Sequence, residues 1–444
     1  MITSLDPCQG SLHKGIFLFS LPLMFTNILQ VLFNIVDIAV AGHFAGTVAL
    51  GAVGSTAMPI FFCVGMIIGI ASGVNAIVAY YVGAQRSAMR NTTIYTAFSV
   101  CLASGILLMI AGIALSRTVL GAMNTKPELM DSAVLYFCIF MLGLPAMSLY
   151  SFGNAVLNAV GDTRRPLLYL SIAGIVNVVL DIIFIVVFHL GVMGVALATV
   201  LSQILSAVLV LLAVFRHTPE LDIHFSNLYF NGKSALHILK IGVPAGFQQG
   251  VFAIANSFIQ MGINSFDAVM VAGCAAEDRL DAMVYQVMAA FYIAGATFIG
   301  QNYGAGNKKR IFAAYRISIG YAFAAGVVMG ILFLLTGREL IGLFTPDAAV
   351  VDAGMKKLYI MSFSFCISAF MDGSVAAARG LGKTLVPSFI IIMGSCVFRL
   401  AWIFTIFAYF RTLESLFLLF IFSWAITGFA ATMYFLKIYK SIPD

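Results

Sequence analysis

The sequence predicts an all-α integral membrane protein: twelve transmembrane helices in two homologous six-helix bundles. Three observations carry that expectation. Apolar residues make up 61% and charged residues 9% of 444 positions, with a mean hydropathy of +1.03, far from the roughly 45–50% apolar and 25% charged make-up of a soluble domain. Apolar stretches of the about 20 residues needed to cross a bilayer recur with short polar breaks. The second half of the chain repeats the first at a nearly constant displacement.

The spans follow in order. The first, 15–40, comes after Lys14; it is too long for the apolar core of a cleavable signal and has no small-residue cleavage pattern behind it, so it is expected to remain as helix one. Spans two (48–81) and three (92–114) are parted by the break that carries Arg86 and Arg90. Span four (132–158) leads into "GDTRRP", residues 161–166. Span five (166–188) contains "IIFIVVF", which lacks the alternating polarity of a barrel strand. Span six (192–215) opens on "GVMGVALATVLSQ". After the segment from Arg216 to Lys240 come spans at 238–262, 269–302, 312–335, 354–378, 386–409 and 412–436.

Orientation follows from the basic residues. With the even-numbered connections on the cytoplasmic side, that side holds 16 lysines and arginines, Arg164 and Lys308 among them. The other holds 6, including Lys126 and Lys357. This positive-inside bias places both termini in the cytoplasm. The net charge of +6 is what loops facing anionic lipid require, so the expected partner is membrane lipid and no nucleic acid is implied. The seven cysteines show no CxxC pair or metal-ligand spacing.

The repeat sets the domain organisation. "LPLMFTNILQVLFNIVDIAVAGHF" from Leu21 aligns with "VPAGFQQGVFAIANSFIQMGINSF" from Val243, pairing Pro22 with Pro244, Asn34 with Asn256 and Phe44 with Phe266. Further on, Asp131 meets Asp352, Gly161 meets Gly382 and Pro166 meets Pro387. The division is an amino-terminal bundle over 1–215, a cytoplasmic linker over 216–240 and a carboxy-terminal bundle over 241–444. Paired repeats of this kind enclose a substrate path and rock about it.

Ionisable residues inside spans point to function, because charge in the bilayer centre costs about 2.5–3.5 kcal/mol on insertion scales. Asp181 lies mid-span in "NVVLDIIF", one helical turn after Asn177. Asp37 sits at comparable depth in span one, on a stripe with Asn27, Gln30 and Asn34 that keeps to one helical face. Asn154 and Asn158 in span four and Thr199, Ser202, Gln203 and Ser206 in span six make the interior of this bundle polar. Two acids approaching each other in low dielectric cannot both ionise cheaply; one takes up a proton, or a cation sits between them.

The paired six-helix repeat, "GDTRRP" after span four, "GVMGVALATVLSQ" opening span six and "FIGQNYGAGNKKR" closing span eight together resemble the multidrug and toxic compound extrusion (MATE) family, prokaryotic type, over nearly the whole chain. The resemblance implies antiport: export of small amphipathic, often cationic organic compounds driven by entering Na⁺ or H⁺, with no cofactor, by a chain working as a monomer in the cell membrane. Members with an amino-lobe cation site place an Asp in helix one, an Asn and Asp four apart in helix five and a Thr in helix six. Asp37, Asn177, Asp181 and Thr199 match, with Asn34 beside them, and their oxygens suit Na⁺ as well as a proton-linked network.

The carboxy-terminal half is less symmetric. Glu277, Asp278, Arg279 and Asp281 read as a partly solvated outer-leaflet cluster in which Arg279 is able to pair internally. Asp372 in span ten and Arg399 in span eleven are deeper, and either neutralise one another or give a secondary coupling site. Asn256 and Gln260 in span seven join Asn154 and Asn158 as candidate substrate contacts, since weak, varied binding favours neutral amides over fixed charge. "GQNYGAG" lacks the GK[ST] ending of a phosphate loop and reads as a turn. The chain lacks a clustered nucleophile, base and oxyanion donors, so it is not expected to be an enzyme. A flippase of lipid-linked oligosaccharide or peptidoglycan precursors shares the architecture, but should line its path with arginine or lysine for pyrophosphate; this chain buries acids and amides instead.

Overall fold

A bilayer offers no partner to an open backbone group, so each apolar stretch must close its hydrogen bonds internally. The computed structural model, which describes residues 7–44, 46–216, 218, 221, 223 and 229–443, does so with helices alone; it has no strand among the described residues. Ten helices are long and apolar enough to cross a membrane, and two bent pairs bring the number to twelve if each pair is one span. In chain order they are α1 Leu12–Phe44, α2 Gly46–Gly83, α3 Ser87–Ala122, α4 (Pro127–Leu142 with Leu144–Ala159), α5 Arg164–Val187, α6 Val192–Arg216, α7 Gly232–Ile263, α8 Ala268–Gly304, α9 Lys308–Gly342, α10 (Ala348–Met361 with Ser364–Gly380), α11 Leu385–Phe410 and α12 Leu413–Lys440. Parts of the expected linker, residues 217, 219–220, 222 and 224–228, lie outside the described residues, as do 1–6 and 444 at the ends assigned to the cytoplasm.

The helices outrun the apolar stretches that mark them, α3 by several residues at both ends, because hydropathy stops at the edge of the hydrocarbon while the backbone ladder does not. Two bends have sequence causes or repeat partners. α4 turns by 42° at Gly143, just before Pro145, whose missing N–H cannot continue the ladder; its repeat mate α10 turns by 51°.

The repeat survives in three dimensions. Arg117 pairs with Asp131 at 2.5 Å, and 221 residues later Arg338 pairs with Asp352. The loops after α4 and α10 each turn on a glycine with positive φ, Gly161 at 93° and Gly382 at 73°, a conformation that other residues avoid. "GDTRRP" is fixed locally as well: the Asp162 carboxylate accepts from the backbone N–H of Arg164 and Arg165 at 3.1 and 3.2 Å, starting α5.

Packing divides the chain into two compact units, one holding Leu29–Gly250 and the other Asp6–Ile28 with Val251–Asp444. The first half of α1 therefore belongs with the carboxy-terminal repeat, and the first half of α7 with the amino-terminal one. The causes are visible at residue level. Gly69 and Gly73 of α2 meet Gly242 and Gly246 of α7, so close that a Cβ on Gly246 would stand 2.8 Å from the Met66 Cα; small residues permit such backbone approach inside a membrane. In the other unit Phe19 of α1 stacks edge-on against Phe298 of α8, with ring centroids 5.6 Å apart. Asn27 donates to the Gln286 carbonyl at 3.0 Å, and Arg310 donates to the carbonyls of Pro7, Gln9 and Gly10. "GQNYGAG" ends α8 and turns at Gly306, φ 71°, as expected.

One topological probe changes. Lys357, expected in an external connection, is a helical residue of α10 with 2% of its surface exposed, while its neighbour Lys356 is exposed. Single cysteines at Lys126 and Lys356 should therefore react with membrane-impermeant maleimide on intact cells, and those at Arg164 and Lys309 only after permeabilisation; labelling at 309 on intact cells would reverse the orientation.

Candidate functional site

The amino-terminal site is assembled by α1, α4 and α5. Phe33 of α1 packs its ring against Gly174 of α5, filling the place a Cβ would take. That contact draws the two helices together, and one and two turns further on it leaves Asp37 and Asp181 opposed. Their carboxyls face each other within hydrogen-bond reach. Asp181 is wholly buried and Asn177 is 5% exposed. No N–H or O–H among the described residues reaches either oxygen of Asp181 or Oδ1 of Asp37, and Asn177 Nδ2 is likewise unbonded.

Two acceptors facing each other without a donor repel unless something positive lies between them. A proton shared by the pair satisfies the geometry, and so does a cation held by hard oxygens. Tyr136 of α4 is a third member: it is 7% exposed and close enough to feel the charge on both acids. Sequence reasoning missed it because a lone tyrosine in an apolar run carries no spacing signal.

The remaining expected residues are placed less closely. The Thr199 hydroxyl donates to the Val195 carbonyl of its own helix at 3.0 Å, leaving only its lone pairs for a ligand. Asn34 is exposed and shows no bond to either acid. Asn158 donates to Asn154 at 3.0 Å and keeps Oδ1 unbonded. In α7, Gln260 donates to Asn264 at 2.9 Å.

The model of the MatE family matches residues 22–183 and again 244–405, two copies displaced by 222 residues (244 − 22). The chain belongs to the MatE family. Among curated relatives, the probable multidrug resistance protein YpnP of Bacillus subtilis is 30% identical over 390 residues, 87% of each chain. The probable multidrug resistance protein NorM of Thermotoga maritima is 26% identical over 90% of this chain and 87% of its own, and the multidrug export protein MepA of Staphylococcus aureus 22% identical over 89% and 88%. In fold, the chain superposes on a crystal structure of a MATE in the straight conformation with a TM-score of 0.92 at 20% identity, covering 100% of this chain and 99% of that one. A Pyrococcus furiosus transporter of the MOP superfamily gives 0.91 at the same identity and coverage.

The carboxy-terminal unit of this MatE chain arranges its charges differently from expectation. Glu277 is wholly buried rather than partly solvated, and its partner is Lys357 of α10, with Nζ 2.6 Å from Oε2. Asp278 also pairs with Lys357, and Asp281 lies 3.7 Å away. Arg279 points outward and is exposed. The cluster is partly solvated, with Asp278 and Arg279 exposed, but its internal cation is Lys357 rather than Arg279.

Asp372 and Arg399 feel each other's charge but form no ion pair among the described residues. Arg399 instead donates through Nη1 to Asn256 at 3.1 Å and through Nε to Ser423 at 3.3 Å. Its guanidinium lies against the rings of Phe252, Phe420 and Trp424, 4.7, 4.5 and 5.9 Å from their centroids. Each such contact contributes about 0.5–2 kcal/mol, against the several kcal/mol that burying a cation costs. Asn256 is thereby a ligand of Arg399.

Breaking a buried ion pair from one side costs about 3–5 kcal/mol. Lys357→Met should therefore lower the melting temperature of the purified protein sharply, and adding Glu277→Gln should recover most of the loss. A single variant as stable as the parent would show that the lysine does not hold this end of α8 to α10.

Proposed function

We propose that the protein is a secondary active antiporter in the cell membrane, with both termini cytoplasmic, that exports amphipathic, often cationic organic compounds in exchange for Na⁺ or H⁺. The observation that carries this reading is the facing pair Asp37–Asp181, three of whose oxygens meet no donor among the described residues. A fold that needed only rigidity would hydrogen-bond these oxygens; leaving them open costs stability and is useful only where a cation or proton comes and goes. The names of YpnP, NorM and MepA as multidrug proteins support the substrate class.

In this reading the entering ion sits between Asp37 and Asp181, with Asn177 and Thr199 able to add an amide and a hydroxyl oxygen. Tyr136 lines the site. Neutralising the acids removes their repulsion and lets α1 and α5 close; losing the ion parts them again. Rocking of the two repeats, working within one monomer, turns that local step into alternating access. Protons and Na⁺ compete for the same oxygens, so they act as alternative drivers.

Asp37→Asn and Asp181→Asn should each reduce ion-driven efflux of a fluorescent cationic dye to the level of protein-free vesicles, with unchanged insertion in the membrane. Na⁺ and pH gradients imposed separately on the parent identify the driving ion; parental rates in both variants would refute the assignment.

The amides are the proposed substrate contacts. Asn158→Leu or Gln260→Leu should reorder the relative export rates of a panel of dyes and drugs while the compounds still exported keep their ion dependence. Equal loss of every compound, or loss of none, would make these side chains packing elements.

A further inference from the structure

Arg399 is one of the largest fully buried side chains of the protein; the proposed coupling step does not use it, and it forms no ion pair among the described residues. The repeat gives it a meaning. Asn256, which accepts from Arg399, is the mate of Asn34 at an offset of 222, and Phe252, on which it stacks, is the mate of Gln30. At the offset of 221 that relates the loops before α5 and α11, Ser423 is the mate of Ser202 and Phe420 of Thr199. Arg399 itself falls on Asn177 or Val178, depending on whether 222 or 221 is used across the π-helical turn at Ile392–Val397. The guanidinium thus lies where the carboxy-terminal unit would carry the counterpart of the Asp37–Asp181 site.

The acids of that site have no counterparts. Asp37 maps to Ile259, and Asp181 to Trp402 or Ile403. A pair of anions that needs a mobile cation in one repeat is replaced in the other by a permanent cation with aromatic faces around it.

We propose that Arg399 is a tethered cation that occupies the second, repeat-related ion site, so that the carboxy-terminal unit is held in a cation-loaded arrangement and exchanges no ion. Only the amino-terminal unit then loads and unloads, one coupling site per chain. The inference rests on the proposed coupling role of Asp37 and Asp181 for its account of stoichiometry, but the requirement for charge at position 399 stands on the carboxy-terminal unit alone.

The test uses the full chain in proteoliposomes and gradient-free dye exchange, which reads position 399 even if the coupling assignment fails. Arg399→Lys should keep exchange within about threefold of the parent, whereas Arg399→Met, which keeps bulk but not charge, should lose about tenfold or more. Arg399→Ala should be inactive and recover on addition of ethylguanidinium, but not of propionamide, a neutral compound of similar size. Melting temperatures of the variants show that they are folded, and ethylguanidinium should raise that of Arg399→Ala selectively. Parental exchange by Arg399→Met, or a folded Arg399→Ala that ignores ethylguanidinium, would overturn the proposal. So would a bound coupling ion that persists after both Asp37 and Asp181 are changed to Asn.

Discussion

Two carboxyl groups that face each other within the spans, with hardly a hydrogen-bond donor among the described residues, set the terms for the amino-terminal unit. Buried acceptors are normally bonded, but Oδ1 of Asp37 and both oxygens of Asp181 meet no N–H or O–H of the described residues. Their helices are brought together by an apolar contact, Phe33 on Gly174, that pushes the acids towards each other rather than apart. Packing energy is thus set against electrostatic repulsion, and in the proposed function a proton or cation decides which prevails. Such a balance makes a local charge event mechanically consequential.

The carboxy-terminal unit resolves the same architectural problem with charges that never leave. Lys357 neutralises part of the acidic cluster in the first half of α8, and Arg399 fills the interior among Phe252, Phe420 and Trp424. Under the two proposals, one repeat is the titratable partner and the other the permanently charged one. The first half of α1, ahead of the half that carries Asp37, packs with the carboxy-terminal repeat through Asn27, Phe19 and Gly15.

Much of this was legible in the sequence. The twelve spans follow from hydropathy, the duplication from a displacement that barely drifts over some 140 residues, and the acid pair from the rarity of charge in apolar runs. The pairing of distant charges was not. Lys357 stands at the very start of span ten beside the polar Lys356 and Asp352 and counts with the external basic residues, yet in the structure it is buried against Glu277 of α8, a contact that nothing in the linear pattern announces. Arg399 and Asp372 are deep in neighbouring spans and invite pairing, but helix rotation sends the guanidinium to Asn256 and Ser423 instead. Tyr136 and the crossing of α1 between units were invisible because both depend on which faces meet. Hydropathy records depth in the membrane; it carries little about azimuth.

The account stands on the Asp37–Asp181 pair changing its proton or cation occupancy during transport. Infrared difference spectroscopy of the purified protein, recorded on addition of an exported dye and repeated with the Asp181→Asn variant, measures that change in the carboxyl stretching bands. The account requires a dye-induced carboxyl signal in the parent, sensitive to Na⁺ or to pH, that is absent from the variant; the same signal in both proteins would contradict it.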